Sequence, residues 1–339
     1  MDKKLLGVID ATTYQEGLEP FVDHRSLAAL PFGGRYRLID FILSNMVNSG
    51  IRSVAIFPKF QYRSLMDHLG SGKDWELNRK RDGLFFFPSQ INSDGIGSFT
   101  HFAENMDYFQ RSTQQYALIA NCYTVANIDF RKVLEAHIHA KCDITEVRKD
   151  GRSMEMYLVK LSLLTDLIEK RRETGYSSMK DVVTDLNHSY KICHYEYNGY
   201  VNMIDSISSY YQSNMSLLNS ATWKSLFTKE HPIYTKVKDE PPTHYLNGSH
   251  VLNSVIANGC QIEGHVENCI IFRGVKVGKG SVIKNSIIMQ KSQIGENCVL
   301  DSCIFDKDVK VEPCSMMRGS MESPFVVRKG TIQGALMKS

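Results

Sequence analysis

Almost no net charge, no long apolar run and no closely paired cysteines mark this 339-residue sequence, and each absence removes a class of function. Its 40 basic and 37 acidic residues leave a formal charge of +3, which gives no argument for a nucleic-acid or membrane-surface partner. The basic cluster Arg79-Lys80-Arg81 is followed at once by Asp82 and reads as a solvated loop. No segment approaches the roughly 20 apolar residues of a membrane span, and the apolar part of MDKKLLGVIDATTYQEG is too short for a secretory leader. The eight cysteines contain no C-x-x-C pair, which argues against structural zinc and a disulfide framework. Five of them lie in the repetitive C-terminal region, where a thiol serves as a small buried hydrophobe. Reduced thiols in a cytoplasmic protein are the expectation. The eleven histidines show no H-E-x-x-H or other metal spacing, and no P-loop or G-x-S-x-G turn occurs.

What is present divides into two styles of chain. Up to about residue 235 strand-like and helix-like segments alternate. Leu5–Ile9, Ser53–Phe57, Gly83–Pro88, Tyr116–Ala120, Ile144–Val147 and Met156–Val159 read as strands. Arg37–Ser49, Tyr62–Leu69, Met106–Arg111 and Phe130–Lys141 carry helical apolar spacing. This alternation predicts an α/β fold with a doubly wound, mostly parallel sheet, whose ligands bind beyond the carboxyl ends of the strands.

Near Glu240-Pro241-Pro242 the helix signals stop. Asn268-Cys269-Ile270-Ile271, Asn285-Ser286-Ile287-Ile288 and Ser302-Cys303-Ile304-Phe305 recur every 17 residues. Val277-Gly278, Ile294-Gly295 and Val311-Glu312 keep the same step, and apolar positions fall about six apart within a turn. That is the hexapeptide signature of a parallel β-helix. Asn253-Ser254-Val255-Ile256 reads as an earlier coil, out of phase by two, and after Val311 the pattern decays into a cap. The predicted domains are therefore 1–235 and 236–339.

The run Pro31–Asn45, PFGGRYRLIDFILSN, with Asn48-Ser49-Gly50-Ile51, resembles the N-terminal region of the glucose-1-phosphate adenylyltransferases, which make ADP-glucose from ATP and glucose-1-phosphate. Trp75–Arg79, Gly97–Asn105, Asn127–Phe130, Gly199-Tyr200 and Asn214-Met215 resemble further motifs of that family. So does the order of domains: a nucleotidyltransferase-like mixed sheet followed by a left-handed β-helix. Against this background the departures stand out. Where the family has a G-G-x-G-x-R-L loop and then a lysine, this chain has Thr12, Thr13, Gln15, Gly17 and Leu27. Where the family places two aspartates, it has Tyr123 and Met203. Between Val147 and Ser153 only RKDGR remains, and the family's Glu-Lys-Pro lysine has no counterpart.

Nucleotidyl transfer rests on positioning and charge neutralisation. Glycine N–H groups must approach the triphosphate, cations must meet its oxygens, and magnesium needs hard oxygen ligands. A neutral phenol and a thioether are poor ligands for this ion. The resemblance therefore implies a catalytically degenerate relative: no catalytic residues, no cofactor, and a regulatory role beside a catalytic glucose-1-phosphate adenylyltransferase subunit in a heterotetramer. Arg35 and Arg37, flanking the Pro31–Gly34 turn, are candidates for binding phosphate or a sugar-phosphate effector; pairing with carboxylates such as Asp40 is the structural alternative. Two rival readings remain open. One is an active adenylyltransferase whose magnesium moved to Asp129 and Asp205. The other is an unrelated hexapeptide acyltransferase, with His250 or His265 as its candidate histidine, or a scaffold.

Overall fold

The computed structural model describes residues 4–59, 61–79, 82–89, 98–187 and 189–334. In the N-terminal part lie β1 (Leu5–Ala11), β2 (Pro31–Phe32), β3 (Tyr36–Arg37), β4 (Ser53–Pro58), β5 (Gly83–Phe86) and β6 (Tyr116–Asn121). They are followed by β7 (Thr124–Ala126), β8 (Ile144–Lys149), β9 (Arg152–Lys160), β10 (Ile192–Glu196) and β11 (Val201–Met203). Seven of these form one sheet in the order β10-β8-β9-β6-β1-β4-β5. β1 pairs in parallel with β4 and β6, while β9 runs antiparallel to β6 and β8, so the sheet is mixed. Central strand β1 reads LLGVIDA and is buried on both faces, as a strand covered by helices on each side must be. The short RKDGR connection becomes a hairpin turn between β8 and β9, with Asp150 at φ 49° and Gly151 at φ 74°, the geometry that suits an Asp-Gly pair.

The predicted helices form at Leu38–Asn48, Arg63–Leu69, Met106–Arg111 and Phe130–Ala140. Further helices at Leu161–Glu169 and Ile207–Ser216 and strand β10 fall where the sequence reading assigned nothing. One cysteine expectation is overturned. Cys142 and Cys193 are joined by a disulfide, with Cα atoms 6.0 Å apart. They are 51 residues apart in sequence and meet because β10 lies beside β8. The other six, among them all five of the C-terminal region, are free. Lys80, Arg81 and Gly97 lie outside the described residues.

Between Leu226 and His244 there is neither helix nor strand. From His244 the chain winds into a left-handed β-helix of three parallel sheets. Ile270 stacks on Ile287 and Ile287 on Ile304, 17 residues apart each time. Val255 stacks on Ile270, only 15 apart, which is the two-residue phase slip seen in the sequence. The Asn-Cys/Ser-Ile-Ile repeat has a backbone cause. Asn253, Asn268, Asn285 and Ser302 turn the corners with φ between 42° and 52°, a region Asn tolerates better than most residues. Their side chains also bond from coil to coil: Asn253 to Asn268 at 2.7 Å and Asn285 to Asp301 at 2.9 Å. The winding continues past Val311. Ile304 pairs with Val326, and Lys310 with Ile332, across an insertion that had hidden the period.

The two domains share one core. Ile270, Phe272, Ile287, Met289 and Ile304, on the outside of one β-helix sheet, pack with Phe32, Phe41 and Tyr210 of the N-terminal domain. Across this junction Arg25 grips Asp306 with both contacts at 2.7–2.8 Å, and both side chains are buried.

Candidate functional site

Two places gather the residues singled out from the sequence: the carboxyl end of the central strands, and a cleft at the domain junction. At the first, Thr12 and Thr13 follow β1 and line a cavity of about 470 Å³ with Tyr14, Asp23, Arg25 and Leu27. The Thr12 N–H donates to Asp10 Oδ1 at 3.0 Å, and its hydroxyl donates to the same oxygen at 2.7 Å. An internal carboxylate thus takes both donors of Thr12. Arg25 in the cavity wall is committed to Asp306, and Leu27 is buried.

The remaining replaced positions converge around β7 and β11. Met203 pairs with Thr124, and the Ile204 N–H donates to the Tyr123 carbonyl at 3.0 Å. Gly17 sits against the next residue: a Cβ there would lie 2.8 Å from the Asp205 carbonyl oxygen. Tyr123 is buried and its hydroxyl donates to Glu155, which also receives Lys180 at 3.2 Å. Burial first, and then the Glu155 charge, push the phenol well above its usual range, so the oxygen stays protonated at neutral pH. Sequence reasoning had not singled out Asp10 or Glu155. Their signal was an acidic residue at or near the end of a central strand.

The carboxylates of the rearranged-metal reading are placed differently. Asp129 caps the helix Phe130–Ala140, accepting from the Arg131 N–H at 3.0 Å and pairing with its guanidinium at 2.8 Å. Asp205 precedes Ser206, the N-cap of the helix Ile207–Ser216, with its own N–H on the Ser209 hydroxyl at 3.0 Å. Among the described residues no group of three His, Cys, Asp or Glu side chains could hold a metal ion. His250 and His265 stack on the outer β-helix surface, ring centroids 4.8 Å apart, and His265 leans on Glu267 at 3.2 Å.

The second place is built by the turn that carries Arg35 and Arg37. Gly33 and Gly34 have φ of 57° and 82°, so β2 reverses tightly into β3. The turn is held by the Gly33 N–H on Asn214 Oδ1 at 2.9 Å. It abuts the β-helix, since a Cβ on Gly34 would lie 3.3 Å from Val255. Arg35 and Arg37 thereby face a cleft of about 230 Å³ shared with Lys238, Arg273, Lys291 and Lys307, and with the carboxylates Glu240 and Asp308. Arg37 is partly committed: its N–H bonds Asp40 Oδ2 at 2.9 Å and its guanidinium bonds the Ser64 carbonyl. Arg35 is exposed, over the Tyr36 ring. Burial, with neighbouring Arg37 and Arg25, lowers Lys307 to about 7. Burial likewise lowers Arg37 to about 10 and brings Arg273 below its usual value. Six cations against two carboxylates, several of them short of solvent, make a site that an anion would relieve.

Residues 16–157 match the nucleotidyl transferase family, and residues 241–320 match the GlmU-like C-terminal hexapeptide family. The chain is 54% identical over 341 residues to the glycogen biosynthesis protein GlgD of Bacillus subtilis, covering 100% of this chain and 99% of that one. It is 61% identical over 341 residues to the GlgD protein of Geobacillus stearothermophilus, covering 99% of each. It is 29% identical over 331 residues to the glucose-1-phosphate adenylyltransferase of Bacillus cereus strain Q1, covering 86% of this chain and 88% of that one.

Proposed function

Because the chain belongs to the GlgD glycogen biosynthesis protein family, we propose that it serves glycogen biosynthesis as a catalytically degenerate regulatory subunit of glucose-1-phosphate adenylyltransferase. On this reading it acts in the cytoplasm and assembles with the catalytic subunit as a heterotetramer. It modulates that subunit through conformational bias across shared packing surfaces. The observation that carries the proposal is the Asp10 carboxylate on the Thr12 N–H and hydroxyl. A triphosphate brought there would meet a negative charge, with the Thr12 N–H already engaged. The replaced Gly17, Leu27, Tyr123 and Met203 remove cation and metal ligands from the same end of the sheet. The cleft at Arg35 and Arg37 is the proposed place for a phosphorylated effector, a sugar phosphate being the natural class.

The isolated chain is expected to form no ADP-glucose from ATP, magnesium and glucose-1-phosphate. Added to a catalytic homologue it should co-elute on size exclusion and shift that homologue's turnover or substrate affinity. Separate elution with unchanged kinetics would overturn the regulatory assignment. Turnover by the isolated chain that disappears in Asp129→Asn or Asp205→Asn would instead favour an active enzyme with a moved metal site.

A further inference from the structure

The β-helix is a prism with three sides, and their outer rows differ. The N-terminal domain covers the side bearing Ile270, Ile287 and Ile304. A second side points Gln261, Lys276, Gln293 and Lys310 outward, all exposed, as solvent-facing positions should be. The third comprises the strands His250–Leu252, His265–Glu267, Val282–Lys284, Val299–Asp301 and Met316–Arg318. Its inward residues, Val266, Ile283, Leu300 and Met317, fill the prism. Its outward residues form two rows. One runs His250, His265, Val282, Val299, Met316, with Met316 61% exposed. The other runs Leu252, Glu267, Lys284, Asp301, Arg318, its four charged members alternating in sign from coil to coil.

We propose that this third side is a two-fold interface with a second copy of this chain. The argument is the order of charges. A two-fold axis parallel to the strands, passing between the coils of Lys284 and Asp301, lays each row on its own reverse. Lys284 then meets Asp301 of the second copy, and Glu267 meets its Arg318, so all four positions face the opposite sign. The same axis sets Val282 on Val299 and places Met316 against His265. Isologous contact demands this self-complementarity, and a row of one sign, or one whose signs read the same in both directions, would fail it. Lys284 already leans on Glu267 at 2.8 Å within the chain, so it enters the contact partly ordered. Four strands of each copy overlap, the His250–Leu252 strand lying beyond the contact, and at about 4.8 Å spacing they span only about 15 Å. The contact buries less than the ~800 Å² per partner of a standard interface, so the pairing is weak and concentration-dependent.

The test uses the full chain alone, by sedimentation velocity across a range centred on about 10 µM. A reversible dimer, weakened by added salt, is expected. Lys284→Glu and Asp301→Lys, each by itself, places like charges at both symmetry-related contacts and should raise the dimer dissociation constant at least about tenfold. Mixed one to one, the two variants restore opposite charges at both contacts, and dimer should return. Misfolding cannot mimic that rescue. A chain that stays monomeric throughout, or variants that self-associate like the parent, would overturn the proposal. A chain that is monomeric alone yet pairs with a catalytic homologue would overturn this interface while leaving the regulatory reading intact.

Discussion

At the scale of single residues, the replaced positions are tied into several partners. Tyr123 is no isolated replacement, because its hydroxyl is engaged by Glu155, and Glu155 by Lys180. Restoring one carboxylate with Tyr123→Asp would place it beside Glu155 without a second aspartate at 203 and without a phosphate loop at 12–17. Groups that act as a unit are non-additive, so this variant should remain inactive in an ADP-glucose assay. It should also be destabilised by about 1–3 kcal/mol, because an unpaired charge enters a buried site. Robust turnover from Tyr123→Asp alone would contradict the account of the Asp10–Thr12 contact. Each replacement was legible in the sequence as a missing residue type. What filled its place was not, because a carboxylate two residues away closing on a threonine N–H is a matter of backbone geometry.

At the scale of elements, the sequence carried most of the fold wherever periodicity was strong. The 17-residue step located the coils of the β-helix, and the corner asparagines explained themselves once their positive φ values were seen. The coil at Val326 was missed because five additional residues break the step. Strand β10, ICHYE, is only half-buried at a sheet edge, so it lacks the apolar pattern that marks β1. The Cys142–Cys193 link went with it. The Arg25–Asp306 pair was invisible for another reason: 281 residues separate partners that only domain docking brings together. Both charges are buried, so truncating one partner and leaving the other desolvated is the expensive change. Asp306→Asn should cost about 3–5 kcal/mol, read by denaturant unfolding. A paired replacement, Arg25→Met with Asp306→Leu, should recover most of the loss. Equal destabilisation by the single and paired variants would assign the cost to packing.

At the scale of the whole molecule, the domain junction unites the surviving turn, the β-helix and the cleft. Apolar packing at Phe32, Ile270 and Ile287 holds the domains, while Arg35, Arg37, Arg273 and Lys307 supply charge. Assembly and anion response should therefore separate under mutation. Arg35→Ala with Arg273→Ala should weaken inorganic phosphate or sugar-phosphate effects on the mixed oligomer at least about tenfold, guanidinium–phosphate contacts being strong. Elution of that oligomer should hardly change. The pH dependence has a definite sign. Lys307 titrates at about 7 in the folded chain and near its ordinary 10.5 when unfolded. The unfolded state thus binds more protons between those values, and this lysine's contribution to stability rises with pH across that window. The cost of its burial is complete below about 7 and relieved above it. A bound anion reverses the preference by stabilising the charged amine, so binding takes up a proton and tightens as pH falls from about 8.5 toward about 7. Lys307→Arg, charged throughout, should bind with a flatter profile, and Lys307→Gln should bind weakly at every pH. Titration calorimetry with inorganic phosphate in buffers of different ionisation enthalpy reads that proton directly. If the parent and Lys307→Arg take up the same number of protons on binding, the lysine is a bystander and the cleft's pH response has another origin.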